Sequence, residues 1–238
     1  MFPHLLELRS RLLKATAGVG LVFAALMPFA NRLYAALARP LVARLPAGAH
    51  LIATEVTSPF LTPLKLALYA ALFAGMPVVL YQAWAFVRPG LYAGEKRLAR
   101  PLLVSAVLLF YLGCAFAFFA VLPAAFRFFT AATPHGVAMM TDIAHYLDFV
   151  TLVLLAFGAC FEIPVAVVIL AALGVVDLDR LRQGRRYAVV GAFAVAALIT
   201  PPDIVSMILL AIPMCLLYEL GLLAVRWLLP HDRVRATT

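Results

Sequence analysis

Charge is scarce in this chain. Only 13% of its 238 residues are Asp, Glu, Lys or Arg and 66% are hydrophobic, a balance that excludes an ordinary soluble domain. Serine is rare too: Ser10, Ser58, Ser105 and Ser206 are the full set, and none lies in a G-x-S-x-G turn or beside a histidine. His4, His50, His135, His145 and His231 are scattered without the spacing of metal ligands. No glycine loop with a following lysine is present to cradle phosphate. Cys114, Cys160 and Cys215 each sit in a different apolar run, where a thiol behaves as a small hydrophobe. No disulfide, metal or cofactor is expected, and these absences argue against an enzyme. Internal repeats and low-complexity tracts are also missing.

Long apolar runs fill the space instead. A hydrocarbon core of roughly 30 Å needs about 20 apolar residues per helix. The runs predict an all-α polytopic membrane protein, one membrane domain over 1–238 with six spans at about 14–36, 64–87, 101–125, 146–175, 187–200 and 204–226. The first run lacks a small-residue cleavage site and reads as a retained helix rather than a secretory signal.

Six spans put both termini on one side of the membrane. That side carries Arg9, Arg11, Lys14, Arg88, Lys96, Arg97, Arg100, Arg180, Arg182, Arg185, Arg186, Arg226, Arg233 and Arg235, leaving only Arg32, Arg39, Arg44, Lys65 and Arg127 opposite. Basic residues near helix ends are retained in the cytoplasm, so both termini are expected there. The net charge of +8 is then mostly topological; it favours anionic phospholipid headgroups and needs no nucleic acid.

The fifth span, from Tyr187 to Ile199, covers only about 20 Å as a helix, short of the hydrocarbon core. It must thin the bilayer or shelter behind longer neighbours. The turn Thr200-Pro201-Pro202-Asp203 predicts a tight hairpin with Asp203 capping the sixth helix. Two outer loops, about 38–63 and 126–145, carry Pro40, Pro46, Pro59, Pro63 and Pro134 and are expected to cap the outer face. ATEVTSPF in the first of them suggests extended backbone that ends at Pro59.

Acids within this basic, apolar chain are the candidates for function. HLLELRSRLLK puts His4, Glu7, Arg11 and Lys14 in one helical sector, with Leu5, Leu8 and Leu12 in another, the pattern of an amphipathic helix on the cytoplasmic surface. Glu7 can simply pair with Arg11 one turn on, and Glu95 can favour the N-terminus of the third span. Alternatively, Glu7 and Glu95 form a receptor for a partner's guanidinium groups, which carboxylates accept in fixed paired geometry. Glu162 lies inside a span, where an ionised acid costs about 2.5–3.5 kcal/mol on insertion scales, so it must face the interior or water, or be protonated. Pro164 cannot donate to the Cys160 carbonyl and kinks the helix within a turn of Glu162. Glu219, nearer the cytoplasmic end, can snorkel or pair with Arg226.

Six co-linear motifs carry a resemblance over residues 4–227: HLLELRSRLL before the first span, SPF at 58–60, YQAWAFVRPGLYAGEKR at 81–97, FGACFEIPVAV at 157–167, RRYAVVGAF at 185–193 and LITPPDIVS at 198–206. Together these are similar to the TatC family of the twin-arginine protein translocase. The resemblance implies six helices in a cupped bundle in the bacterial cytoplasmic (inner) membrane. It implies recognition of twin-arginine signal peptides on folded cargo, TatA and TatB type single-span partners in a multimeric complex, and transport driven by the proton gradient rather than ATP. By the same resemblance Glu7 and Glu95 match the acids that receive the two signal arginines, while Arg9, Arg11, Phe86, Pro89 and Leu91 match positions that shape that surface. Pro40, Glu162 and Asp203 match other sensitive positions. Ala93 departs from the family pattern, which often has a basic residue there. Residues alone leave a rival reading, a secondary transporter or channel with Glu162 as its ion or proton site, though no inverted repeat or pair of glycine-broken helices supports it.

Overall fold

The computed structural model describes residues 2–35, 52–87, 99–132, 142–199 and 204–228. Helix α1 (Phe2–Leu26) runs through a single 3-10 turn at Met27–Phe29, where Pro28 interrupts the ladder, and continues as helix over 30–35. Then come α2 (Ser58–Val87) and α3 (Ala99–Phe116), followed by a π turn (Ala117–Val121) and α4 (Leu122–Ala132). The chain goes on through α5 (Ile143–Phe161), α6 (Ile163–Ala172), short α7 (Leu178–Gln183), α8 (Arg185–Ile199) and α9 (Ile204–Leu228). The described residues are nearly all helical, and their sole sheet-like contact is an isolated parallel bridge between Ile52 and Asp142.

Five stretches are long and apolar enough to cross a membrane: Leu6–Ala35, Ser58–Val87, Arg100–Phe129, Ile143–Ala172 and Leu210–Leu228. Helix α8 is the sixth apolar helix. Its 15 residues reach about 22 Å, which agrees with the short fifth span expected from sequence. Large apolar side chains such as Leu21, Leu198 and Leu216 point outward, the arrangement a lipid solvent favours.

Three expectations shift. The N-terminal amphipathic segment is not a separate surface helix, because α1 is continuous from Phe2 into the first span. The outer loops are shorter than drawn: 58–63 and 126–132 are helical. Pro59 falls in the first turn of α2, where its missing N–H has no helical partner to lose, so it starts the helix there. The turn at Thr200–Asp203, and with it the capping role of Asp203, lies outside the described residues.

Two compact units emerge, Met1–Phe86 with Phe128–Thr151, and Val87–Arg127 with Leu152–Thr238. In the first, α1 and α2 interlock through reciprocal glycines. A Cβ on Gly18 would lie 3.1 Å from Val78, and one on Gly75 would lie 3.0 Å from Val19. Small residues at such a seam let two backbones approach closely where no hydrophobic effect drives them together. At one end of this unit Asp142 fastens residue 54 to the start of α5. Its Oδ2 accepts from the Thr54 hydroxyl (2.6 Å) and N–H (2.9 Å), and its Oδ1 from the N–H groups of Ala144 and His145, as a helix cap does. Nearby, Asp148 accepts from Lys65 at 3.2 Å and from the Tyr69 hydroxyl at 3.3 Å.

In the second unit, α3 and α5 cross even more closely. A Cβ on Gly113 would lie 2.6 Å from the Phe157 carbonyl oxygen, and one on Gly158 would lie 2.5 Å from the ring of fully buried Phe110. Helix α9 lies against α6 at Gly221, where a Cβ would meet Pro164 Cα at 3.0 Å.

Candidate functional site

Glu7 and Arg11 are one turn apart on α1, the spacing at which side chains on a helix meet. Arg11 continues the stripe of α1 that faces α2, one turn before buried Ala15 and seven residues before Gly18. The glycine seam therefore brings the Arg11 guanidinium to the C-terminal end of α2. Its Nη2 donates to Glu7 Oε1 at 3.3 Å and to the Ala85 carbonyl at 3.5 Å, while Nη1 donates to Gln82 Oε1 at 3.3 Å. Both side chains of the pair are about one-third exposed.

The chemistry of α2's end explains why a cation rests there. Ala85 is in the last turn of α2, whose carbonyls have no helical donor and carry the negative end of the macrodipole. Four residues on stands Pro89, which has no N–H to offer. Ala85 is thus free to accept from Arg11.

Sequence reasoning selected Glu7 and Arg11, and the structure brings them together. Phe86 occupies the same last turn as Ala85, and Arg9 is exposed on α1. Glu95, Pro89, Leu91 and Pro40 lie outside the described residues, as does Asp203. Gln82 and the Ala85 carbonyl were missed. The signal for the carbonyl was the Ala85-to-Pro89 spacing; a neutral glutamine offers no comparable signal.

Glu162 belongs to the second unit. Helix α5 stops at Phe161, the Glu162 N–H bonds back only three residues to Ala159 (3.1 Å), and α6 starts at Ile163 with Pro164 in its first turn. The kink expected from Pro164 is therefore a true break. The Glu162 carbonyl accepts from Ala166 at 2.8 Å, while its side-chain Oε1 is buried with no hydrogen-bond partner among the described residues.

Glu219 pairs with Arg185 at 2.7 Å, not with Arg226. Packing of α8 on α9 brings together two residues 34 apart in sequence, ahead of the in-helix neighbour seven residues away. The pair closes one end of an apolar groove that also includes Val189, Phe193, Ile212 and Leu216. Among the described residues no cluster of His, Cys, Asp and Glu could hold a metal ion.

Apolar helices packed closely at Gly18 and Gly75, at Gly113 and Gly158 and at Gly221, with an acid–guanidinium pair at the end of α2 and an acid at the break between α5 and α6, define a polytopic membrane protein. Comparison with known proteins gives the particular family. Residues 3–213 match the model for Sec-independent protein translocase protein (TatC), and the chain belongs to the TatC family. It is 57% identical to the TatC of Azotobacter chroococcum mcd 1, over 93% of this chain and 87% of that protein. It is 48% identical to the TatC of Escherichia coli (strain K12), over 99% and 91%. A crystal structure described as the twin-arginine translocase receptor TatC superposes with a TM-score of 0.79 at 35% identity, covering 94% of this chain and 98% of that one. The same receptor in DDM gives 0.82 at 34% identity, over 92% and 98%. The protein is a membrane-embedded component of protein transport, not an enzyme.

Proposed function

We propose that this chain is the core receptor of a twin-arginine translocase, acting as a single membrane domain in the bacterial inner membrane with both termini cytoplasmic. Glu7 and Glu95 receive the two arginines of a signal peptide on folded cargo, and Arg9, Arg11, Phe86, Pro89 and Leu91 shape the surface around them. The observation that carries this reading is the Glu7–Arg11 pair at the end of α2. It is a partly exposed carboxylate already engaged with a guanidinium, in a chain whose structural neighbour is described as a receptor of this kind. Fourteen of the 19 basic residues on the side of the termini support the orientation and an affinity for anionic phospholipids.

Bound signal then nucleates assembly with TatA and TatB type single-span partners into a multimeric complex driven by the proton gradient. The short α8 and its neighbour α9 are the docking place, where a thinned bilayer favours entry of a partner helix. Glu162, with Asp203 and Pro40, serves the encounter with a partner helix or inserted signal. Site-specific crosslinking of a twin-arginine peptide tests the assignment. Glu95→Gln abolishes it while the protein still accumulates in the membrane; crosslinking at the wild-type level would overturn the reading. Flux of a small solute through liposomes holding the purified chain would instead favour a transporter working through Glu162.

A further inference from the structure

Arg11 stands where an incoming guanidinium would have to go. It holds Glu7 through a single contact of 3.3 Å, longer than the roughly 2.7–2.9 Å of a good charge-assisted bond, and the same Nη2 is shared with the Ala85 carbonyl. A paired, two-bond approach by another guanidinium can therefore displace it. Displacement would strand a cation in a half-buried place unless Arg11 kept other acceptors, and α2 supplies two. One is Gln82 Oε1 at 3.3 Å; the other is the Ala85 carbonyl, at the negative end of the helix, with a proline, which has no N–H, four residues on in the sequence.

We infer that Arg11 is an internal stand-in for the ligand's guanidinium, and that Gln82 is a positioning residue which seats Arg11 while Glu7 changes partner. This rests on the reading of Glu7 as a signal-arginine acceptor. It adds a specificity device to that reading. Because Glu7 is already neutralised, a ligand must offer more than a positive charge; an arginine's planar fork meets that threshold and a lysine's point charge does not.

The test uses the full chain in lipid nanodiscs and two fluorescent peptides, one with adjacent arginines and one with lysines in their place. Gln82→Leu, which removes the acceptor at similar volume, makes Arg11 lean harder on Glu7. It weakens diarginine binding by roughly 3- to 10-fold, the range spanned by the net worth of one hydrogen bond. Gln82→Glu keeps an acceptor and binds at least as tightly as the wild type. In an Arg11→Met background Gln82→Leu changes nothing further, and the preference for arginine over lysine narrows. An equal effect of Gln82→Leu with and without Arg11 would overturn the inference, since Gln82 would then touch the peptide itself. So would unchanged binding by a Gln82→Leu protein with wild-type thermal stability. Should that variant fail to fold, Gln82→Asn, which withdraws the amide by one methylene, carries the same expectations. Undiminished binding by Glu7→Gln would strike at the underlying receptor reading instead, whatever the Gln82 series gives.

Discussion

Among the described residues, Glu7 reaches the C-terminal end of α2 through Arg11: 3.3 Å separate Glu7 Oε1 from Arg11 Nη2, and the same nitrogen lies 3.5 Å from the Ala85 carbonyl. The carboxylate is thus held on one oxygen by a neighbour that is itself anchored to another helix. Neutralising it removes the acceptor for a ligand guanidinium but leaves Arg11 bonded to α2. Glu7→Gln is therefore expected to lose about 2–5 kcal/mol of diarginine-peptide affinity, the cost of truncating one side of a partly buried charge pair. The thermal midpoint moves little, because a single i,i+4 helix pair contributes only about 0.3–0.5 kcal/mol and Arg11 keeps its acceptors on α2. Titration of peptide against both proteins, with differential scanning fluorimetry alongside, checks the two halves separately.

The two glycines between α3 and α5 have unequal tolerance. A methyl on Gly113 would strike the Phe157 carbonyl at 2.6 Å, and backbone oxygen cannot turn aside; a methyl on Gly158 would strike the Phe110 ring at 2.5 Å, which has some torsional freedom even though it is buried. Both Gly→Ala changes should destabilise within the overpacking range of about 1–3 kcal/mol, with Gly113→Ala the larger. Thermal midpoints in detergent rank them. A Gly158→Ala protein less stable than Gly113→Ala would show that the ring, not the backbone, is the rigid surface.

The Asp142 clasp makes a pH prediction of definite sign. Hydrogen bonds from the Thr54 hydroxyl, then the Thr54 N–H, then the N–H groups of His145 and Ala144 hold this carboxyl well below the usual aspartate range. A depressed folded-state value means that the contribution is fully present above the unfolded aspartate value of about 3.9 and is lost only as pH falls through the folded value. Amide exchange at Thr54, corrected for its intrinsic rate, should therefore stay equally protected between about pH 7 and pH 5. Thr54→Val removes the first of those donors and should raise the exchange rate across that whole range. A step in protection between about pH 7 and pH 5 would overturn the assignment of the clasp to Asp142.

Much of this was legible in the sequence because a bilayer restricts the menu. Apolar runs located the helices, and the 13-residue run from Tyr187 to Ile199 announced a short fifth one. Pro164 announced the break at Glu162. Less legible was anything decided by another helix. The charged sector of Glu7, Arg11 and Lys14 looked like a surface helix because its pattern is the same whether the polar face meets water or a neighbour's carbonyl. For Glu219 the sequence offers snorkelling or Arg226, because chain distance is visible and the α8–α9 packing that delivers Arg185 is not. Gln82 was silent because an uncharged acceptor gains meaning only once Arg11 is seen beside it.

Glu162 separates stability from function most cleanly. Its Oε1 is buried without a partner among the described residues, at a break where α5 yields to α6 and where Gly221 of α9 presses on Pro164. No described residue donates a hydrogen bond to that oxygen, so no contact among them rewards an acid over an amide there. An amide of the same shape avoids the roughly 2.5–3.5 kcal/mol that an ionised acid costs within a membrane. Glu162→Gln is therefore expected to be at least as stable as the wild type, by thermal midpoint in detergent, while losing crosslinks from position 166 to an inserted signal or partner helix. Glu162→Lys should destabilise, since a charged ammonium within a span carries an insertion cost of the same order, about 2.5–3.5 kcal/mol. If Glu162→Gln proved markedly less stable with crosslinking intact, the acid would be a structural member of the break, and the encounter assigned to it would have to be sought elsewhere.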